Sequence, residues 1–261
     1  MLHWWRQWRR RQTLRRERIP QDAFDAAVST LAPCHGLTAQ ERQRLRDLVS
    51  LFVAEKVFEP VDGFACRDED RLLIAVLACL PLIHLDFAWY DDWVSVIVYP
   101  EEFLVDYEEM DEAGVVHAGR DLRAGEAWDY GPLVLSLADV HASVQGHGPH
   151  ADGYNVVVHE CAHKLDMVNG EANGFPPLHR GMSRKAWTRA FTEAFEDMHR
   201  QLDRGAETTI DPYAAESPAE CFAVFSEYFF VAPRTLKRVY PEVYVQLKAF
   251  YRQDPLARLP G

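Results

Sequence analysis

Residues 156–163 of the chain read Val-Val-Val-His-Glu-Cys-Ala-His. His159 and His163 are four positions apart, so on a helix both imidazoles project from the same face and can share one metal ion. Glu160 stands beside the first histidine, close enough to take a proton from a water at that ion without being a ligand itself. The three valines that precede the histidines indicate a buried helix. The stretch predicts a zinc-hydrolase helix that carries one Zn²⁺ ion per chain.

A catalytic zinc site needs a third protein ligand, and its fourth position is left for water. The common short extension of the motif would place a histidine at position 169, where this chain has Asn169. Cys161 points about 160° away from the line of the two histidines, so we expect it in the core. A glutamate on a later helix is the usual alternative, and the candidates are Glu171, Glu193, Glu196, Glu216, Glu220 and Glu227.

Glu220 also has an explanation in its local sequence. Ser217 and Glu220 have the spacing of a capping box, and Pro218 stands at the first helical position. Those residues predict the start of a helix with or without a metal nearby. The residues alone therefore leave two roles open for Glu220, a helix cap and the third zinc ligand, and Glu216 and Glu227 are the next candidates for the ligand.

The composition is that of a globular protein. Of the 261 residues, 48% are hydrophobic, which excludes collagen-like and wholly disordered classes. The best apolar stretch, Leu72 to Leu85, is too short to span a membrane. Five cysteines occur without a CxxC pair, which argues against a disulfide framework and a cysteine zinc finger. The N-terminus lacks the apolar core of a secretory signal, so we expect a cytoplasmic protein.

Basic residues are concentrated at the start of the chain. Seven of the 28 basic residues and one of the 40 acidic residues lie in the first 18 positions, so the remaining chain carries a net charge of −18. We expect a solvated arm that docks on the acidic body. The alternative is binding of nucleic acid or anionic lipid by the arginines together with Trp4, Trp5 and Trp8. A body this acidic is a poor candidate for direct nucleic-acid binding.

The pattern of elements predicts an α+β fold with strands in the middle of the chain and helices at both ends. Thr38 and Glu41 form a second capping-box pattern before an apolar helical face. Residues 93–99 and 133–140 are rich in β-branched and apolar residues, which is typical of strands. We expect a basic, aromatic arm over residues 1–20 and one domain over residues 21–261.

Two blocks of the sequence resemble the Mlc titration factor A family of bacterial zinc metallopeptidases. The first block is residues 158–167, Val-His-Glu-Cys-Ala-His-Lys-Leu-Asp-Met. The second block runs from Asp-Pro-Tyr at residues 211–213 to Ser-Glu-Tyr-Phe-Phe at residues 226–230. The similarity covers most of the chain after about residue 20, and the catalytic domain of anthrax lethal factor is similar in the same two blocks.

The resemblance implies a zincin-like fold of the Glu-ligand type, a small mixed sheet packed with several helices. It also implies that His159, His163 and Glu220 hold zinc and that Glu160 is the general base. Tyr213 matches a tyrosine that can donate a hydrogen bond to the oxyanion of the tetrahedral intermediate. The implied activity is aminopeptidase-like cleavage of short peptides.

The resemblance has further implications for the surroundings of the site and for partners. Lethal factor has an acid at the position of Val224, so Glu227 or Asp166 is expected to contact a ligand imidazole instead. Residues 133–140 are the expected sheet edge for a peptide substrate, and the loop of residues 141–153 is expected to cover the site. The family is named for binding the glucose repressor Mlc, so the alternative function is a regulatory protein that sequesters a Mlc-like repressor. No direct nucleic-acid partner and no membrane span are expected.

Overall fold

A computed structural model gives the architecture of the protein. The structure describes residues 2–59, 61, 63–110, 116–123, 125–127, 131–145 and 153–259. The helices are α1 (Leu2–Arg16), α2 (Gln21–Ser29), α3 (Ala39–Glu55), α4 (Asp68–Cys79), α5 (Leu137–Gln145), α6 (Val156–Asp166), α7 (Arg184–Asp203), α8 (Pro218–Val231), α9 (Pro233–Val239), α10 (Pro241–Tyr251) and α11 (Pro255–Arg258). The strands are β1 (Val57–Glu59), β2 (Ser95–Tyr99), β3 (Phe103–Met110), β4 (Val116–Arg123), β5 (Gly125–Ala127) and β6 (Leu133–Ser136).

A small mixed sheet lies at the centre of the fold. Its strand order is β1-β2-β6-β5, in which β1, β2 and β6 run parallel and β5 runs antiparallel to β6. The inner strands are apolar: Val96 and Val98 of β2 and every residue of β6 are buried. Strands β3 and β4 form a separate antiparallel pair. The predicted combination of a small mixed sheet with several helices is therefore confirmed.

The prediction that residues 133–140 form a sheet edge is wrong. Strand β6 ends at Ser136 and pairs on one side with β2 and on the other with β5. Its apolar side chains are buried because helices and neighbouring strands surround it, as apolar runs in parallel strands require. The short strand β5 lies at that edge of the sheet instead. Residues 137–145 form helix α5, so the first part of the loop predicted over 141–153 is helical, and residues 146–152 lie outside the described residues.

Side chains cap the starts of α3 and α6, and the cap of α3 is the predicted one. Thr38 and Glu41 form the full capping box of α3, in which the Thr38 hydroxyl accepts from the Glu41 N–H and the Glu41 carboxylate accepts from the Thr38 N–H. The side chain of Asn155 caps α6 by accepting from the N–H of Val158 at 3.0 Å. These caps satisfy backbone donors that have no partner inside the helix.

Helix α6 lies inside the fold. It packs along α8 and also contacts α4, α5, β5 and β6. Its neighbour α8 is buried from Cys221 to Phe230, and aromatic rings of α7, α8 and α10, among them Trp187, Phe222 and Phe250, pack together beside it. All five cysteines of the chain are free and buried, and Cys161 lies in the core as predicted. Polar side chains on α6 and α8 are thus held by two helices that lie inside the fold.

Within the described residues, no helix combines the length and the apolar character needed to cross a membrane.

Candidate metal centre

Three donor atoms from two helices converge at one point. His159 and His163 project from the same face of α6, and their Nε2 atoms lie 3.1 Å apart. Oε2 of Glu220, in the first turn of α8, lies 2.9 Å from Nε2 of His159 and 3.3 Å from Nε2 of His163. The three side chains form a group that could hold a metal ion. The packing of α8 along α6 is what brings Glu220 to the two histidines.

The distances and the charges both fit a tetrahedral zinc site. Zinc ligands at about 2.0–2.1 Å from the metal lie about 3.3 Å from one another, close to the three distances observed. One proton can be shared between the two Nε2 atoms. The lone pairs of the remaining acceptor atoms in the cluster then still face each other without a proton or a cation between them. The carboxylates of Glu160, Glu220 and Glu227 also lie around this point in a buried environment, where negative charge is costly without a cation. The donor set therefore suits Zn²⁺.

The carboxylate of Glu220 points to the histidines, while its backbone is capped. The Ser217 hydroxyl accepts a hydrogen bond from the Glu220 N–H at 3.2 Å, so the serine satisfies the helix end. Burial by itself would raise the pKa of Glu220, but the hydrogen bonds and charges of His159 and His163 outweigh it and hold that pKa well below its ordinary value. Only the serine half of the predicted capping box is therefore present, because the Glu220 carboxylate contacts the histidines instead of completing the cap.

The other candidate glutamates do not join the cluster of donors. Four of them are exposed on the surface: Glu171, Glu193, Glu196 and Glu216. Glu227 is buried on α8, two turns after Glu220, and lies behind the cluster. Its Oε1 is 2.7 Å from Nδ1 of His159, and its other oxygen accepts a hydrogen bond from the backbone N–H of Asn155. Glu227 therefore sets the orientation of the His159 ring.

Asp166 has a different role from Glu227. Its Oδ2 accepts hydrogen bonds from the backbone N–H groups of Asn173 at 2.7 Å and of Gly174 at 2.6 Å. These contacts attach the segment after α6 to the end of that helix. Of the two acids expected to contact a ligand imidazole, Glu227 makes the contact, and Asp166 makes no hydrogen bond to either histidine.

The acids shift the protonation of the site. Burial alone would lower the pKa of His159, but its hydrogen bonds to Glu220 and Glu227 outweigh burial and raise that pKa well above its ordinary value. Burial raises the pKa of Glu227, against the opposing effect of His159. The site thus has an excess of negative charge that attracts a cation or a proton.

Glu160 is a buried carboxylate with an unused oxygen. Its exposed fraction is 5%, and its Oε2 has no hydrogen-bond partner within the described part of the chain. Burial raises the pKa of Glu160, and the neighbouring histidines oppose that rise. A carboxylate in this state can accept a proton readily once a donor reaches it.

Tyr213 borders the histidines on the solvent side. It lies in a short 3₁₀ turn, Pro212–Ala215, whose start is held by Asp211, because Oδ1 of that residue accepts from the Tyr213 N–H at 2.9 Å. The ring centres of Tyr213 and His159 are 6.0 Å apart, and Tyr213 is 49% exposed. The tyrosine is therefore both beside the cluster and accessible.

Sequence reasoning missed one contributor to the site, Asn155. Asn155 caps α6 with its side chain and donates its own N–H to Glu227, so it connects the start of the helix to the acid behind His159. An asparagine directly before an apolar helical pattern is the signal that could have identified it. His147 and His150, which belong to the loop expected to cover the site, lie outside the described residues.

Comparison with known proteins agrees with this geometry. Residues 5–252 match the family described as glucose-regulated metallo-peptidase M90. The chain is 37% identical to Mlc titration factor A of Escherichia fergusonii over 99% of the chain and 94% of that protein. It is 39% identical to Mlc titration factor A of Yersinia enterocolitica and 40% identical to that of Yersinia pestis, in each case over 89% of the chain and 85% or 84% of the relative. The chain therefore belongs to the M90 family of glucose-regulated metallopeptidases, which includes the Mlc titration factor A proteins.

Proposed function

We propose that the protein is a zinc metallopeptidase with aminopeptidase-like activity on short peptides and a zincin-like fold of the Glu-ligand type. The observation that carries the proposal is the triangle of donor atoms from His159, His163 and Glu220, with the unused carboxylate oxygen of Glu160 beside it. The five free, buried cysteines fit the reducing cytoplasm, which is the compartment we propose.

The three donors would hold the metal, and the chain supplies their orientation. His159, His163 and Glu220 each offer one atom to the same point. Zinc bound there would lower the pKa of a water toward about 7 and polarise the peptide carbonyl. Glu227 keeps the Nδ1 side of His159 occupied, so that Nε2 of that ring faces the metal point.

Glu160 is the general base in this proposal. Its carboxylate takes the proton of the attacking water and later passes it to the leaving amine, so that one side chain acts in both steps. Burial, which raises the pKa of Glu160, brings its proton affinity nearer to that of its reaction partners. Its free oxygen requires no hydrogen bond to be broken before the proton transfer.

Tyr213 stabilises the developing negative charge in this proposal. Its half-exposed ring beside His159 allows the hydroxyl to approach a substrate carbonyl oxygen that enters from solvent. A hydrogen bond to the oxyanion contributes about 2.7–4 kcal/mol to a transition state of this type. A peptide would pair with strand β5, which lies at the edge of the sheet and contacts α6.

Hydrolysis of aminoacyl-anilides and short peptides by zinc-loaded protein tests the peptidase. Glu160→Gln should keep one zinc per chain and lose activity by about 10²- to 10⁴-fold, the usual contribution of a general base. Glu171→Gln is the matched control, because this exposed glutamate lies outside the cluster and should change neither quantity. A zinc-loaded wild-type protein that cleaves none of these substrates would contradict the proposed activity.

The zinc content of two variants tests the ligand set separately. Glu220→Ala should lower the zinc stoichiometry because it removes one of three donors. Ser217→Ala removes only the helix cap and should lower the free energy of unfolding by about 0.5–2 kcal/mol while the chain still binds one zinc ion. An unchanged zinc stoichiometry in Glu220→Ala would assign the third ligand to another acid.

A second candidate function is the binding of a Mlc-like transcriptional repressor. It is supported by the name of the relatives, Mlc titration factor A, and by the charge of −18 on the chain after residue 18, which is complementary to a basic DNA-binding surface. A pull-down at physiological salt should retain the repressor on wild-type protein and equally on Glu160→Gln. Failure to retain the repressor would contradict this second function and leave the peptidase proposal unaffected.

A further inference from the structure

Helix α1 is oriented with its tryptophans toward solvent. Trp4, Trp5 and Trp8 are 70%, 51% and 47% exposed. Burial of a large apolar side chain stabilises a fold, so a helix that served only to cover the body would turn these rings inward. The side of α1 that faces the body carries Arg10 instead of the tryptophans.

The contact between α1 and the body combines the packing of Leu14 against the core with specific ion pairs. Nε and Nη2 of Arg10 each donate to a carboxylate oxygen of Glu55 at 2.9 Å, and Arg10 also pairs with Asp91. Arg6 donates to the other oxygen of Asp91 at 2.8 Å. Bidentate arginine pairs are directional. They fix the rotation of α1 about its own axis, and with it the direction of the opposite face.

That opposite face combines aromatic rings with unpaired cations. Trp4, Trp8, Arg11 and Arg15 follow the spacing of one helical stripe, and Trp5 and Arg16 belong to the adjacent stripe. Arg11, Arg15 and Arg16 are exposed and make no ion pair with any residue that the structure describes. We name this surface, formed by the three tryptophans and these three arginines, the outward face of α1.

We propose that the outward face of α1 binds the surface of an anionic phospholipid bilayer, with α1 lying flat on the membrane. Indole rings favour the boundary between headgroups and acyl chains, and arginine side chains reach the lipid phosphates from that depth. A helix of 15 residues presents about 22 Å of such a face to a flat surface. The strength with which a surface helix binds an anionic membrane depends on the apolar area that it buries and on the attraction of its cations to the lipids, and this face offers both.

The charge of the remaining chain supports lipid over nucleic acid as the partner. Beyond residue 18 the chain has a net charge of −18, which would repel a polyanion that wraps around the body. A flat bilayer needs to touch only the outward face of α1. The acidic body would then be held away from the membrane, so the contact would be confined to α1 and would set the orientation of the protein.

Vesicle co-sedimentation of the full-length protein tests the proposal. Wild-type protein should bind vesicles of phosphatidylcholine that contain about one third phosphatidylglycerol far more tightly than vesicles of phosphatidylcholine alone. Each exposed arginine near an anionic surface contributes about fivefold to binding. The arginine variant should therefore bind these vesicles on the order of 100-fold more weakly; it carries Arg11→Gln, Arg15→Gln and Arg16→Gln.

The tryptophan variant tests the apolar part of the contact. It should lose at least about tenfold in binding to the same vesicles and should lack the blue shift of indole fluorescence that membrane contact produces in wild type. This variant carries Trp4→Ser, Trp5→Ser and Trp8→Ser. All six substituted side chains are exposed, so the far-ultraviolet circular dichroism and the unfolding midpoint of both variants should match those of wild type.

A charge-matched control separates the outward face from net charge. It removes three exposed cations of the body and should bind the vesicles as wild type does; it carries Lys185→Gln, Arg204→Gln and Arg238→Gln. Equal weakening by this control and by the arginine variant would overturn the proposal. Equal binding of wild type to neutral and anionic vesicles, or no vesicle binding together with retention on duplex DNA, would overturn it too.

Discussion

Replacement of Glu227 by glutamine should weaken zinc binding by about 10- to 100-fold without unfolding the protein. One oxygen of Glu227 lies 2.7 Å from Nδ1 of His159, and the other accepts from the backbone N–H of Asn155. Glutamine has the same shape, but one of its terminal groups is a donor. In either orientation its NH₂ group faces another donor, so one of the two contacts is lost.

The size of the effect follows from that lost contact. A buried polar group without its partner costs about 1–3 kcal/mol. A change of 10- to 100-fold in the dissociation constant corresponds to about 1.4–2.7 kcal/mol, which is the same range. The zinc affinity of wild type and Glu227→Gln can be compared by competition with a chromophoric chelator at neutral pH, and urea unfolding of both proteins reports on the fold.

Asp166→Asn is the matched control for this prediction. Asp166 is also a buried acid beside the site, but it accepts from the N–H groups of Asn173 and Gly174 instead of contacting a histidine. An asparagine can accept both hydrogen bonds through its amide oxygen, because the other oxygen of Asp166 has no partner within the described residues. The variant should therefore change the zinc dissociation constant by less than about threefold. The reasoning is refuted if Asp166→Asn weakens zinc binding as much as Glu227→Gln does, or if Glu227→Gln binds zinc as tightly as wild type.

Three further predictions concern the rest of the fold. Burial lowers the pKa of Lys56 from 10.5 to about 8, so between these pH values the unfolded chain binds more protons than the folded one. The unfolding free energy of wild type should therefore rise with pH in this range relative to that of Lys56→Met. Parallel pH profiles of the two proteins in urea titrations would contradict this. Gly174→Ala should lower the free energy of unfolding by about 1–3 kcal/mol more than Gly205→Ala does. Both glycines have positive φ, but a Cβ at Gly174 would lie 2.3 Å from a backbone oxygen at the start of α8, whereas the space at Gly205 is open. Equal unfolding midpoints of the two variants would disprove the close approach. Arg10→Gln should release α1 and speed tryptic cleavage within residues 1–18 by at least about tenfold. The control Arg15→Gln should leave the rate of cleavage at the other arginines unchanged. Equal rates in wild type and both variants would show that the ion pairs do not hold the helix.

Local spacing in the sequence was enough to predict much of the site. Two histidines four residues apart share a face on any α-helix, which allows their Nε2 atoms to come within 3.1 Å of each other. The capping box of Thr38 and Glu41 is likewise a local arrangement, and the structure has it as predicted. Predictions of this kind succeed because they involve contacts within one or two turns of a single helix.

The position of β6 shows where such reasoning ends. An apolar run of residues is compatible with a strand inside a sheet and with a strand at its edge, and nothing within residues 133–136 distinguishes the two. Strand β6 lies inside the sheet because it pairs with β2 on one side and with β5 on the other. The rotation of α1 is a similar case, because the partners of Arg10 are Glu55 and Asp91, far along the chain.

The sequence by itself thus determined the helix that carries the histidine pair and the adjacent carboxylate, since their relative placement depends on the fixed rise and rotation of one helix. Only the tertiary structure decided which distant acids surround that helix. Glu220 and Glu227 lie 57 and 68 positions from the histidines they contact, and the packing of α8 along α6 gives them separate places, one at the donor triangle and one behind His159. Contacts over such separations depend on how whole helices pack, which short-range spacing does not encode.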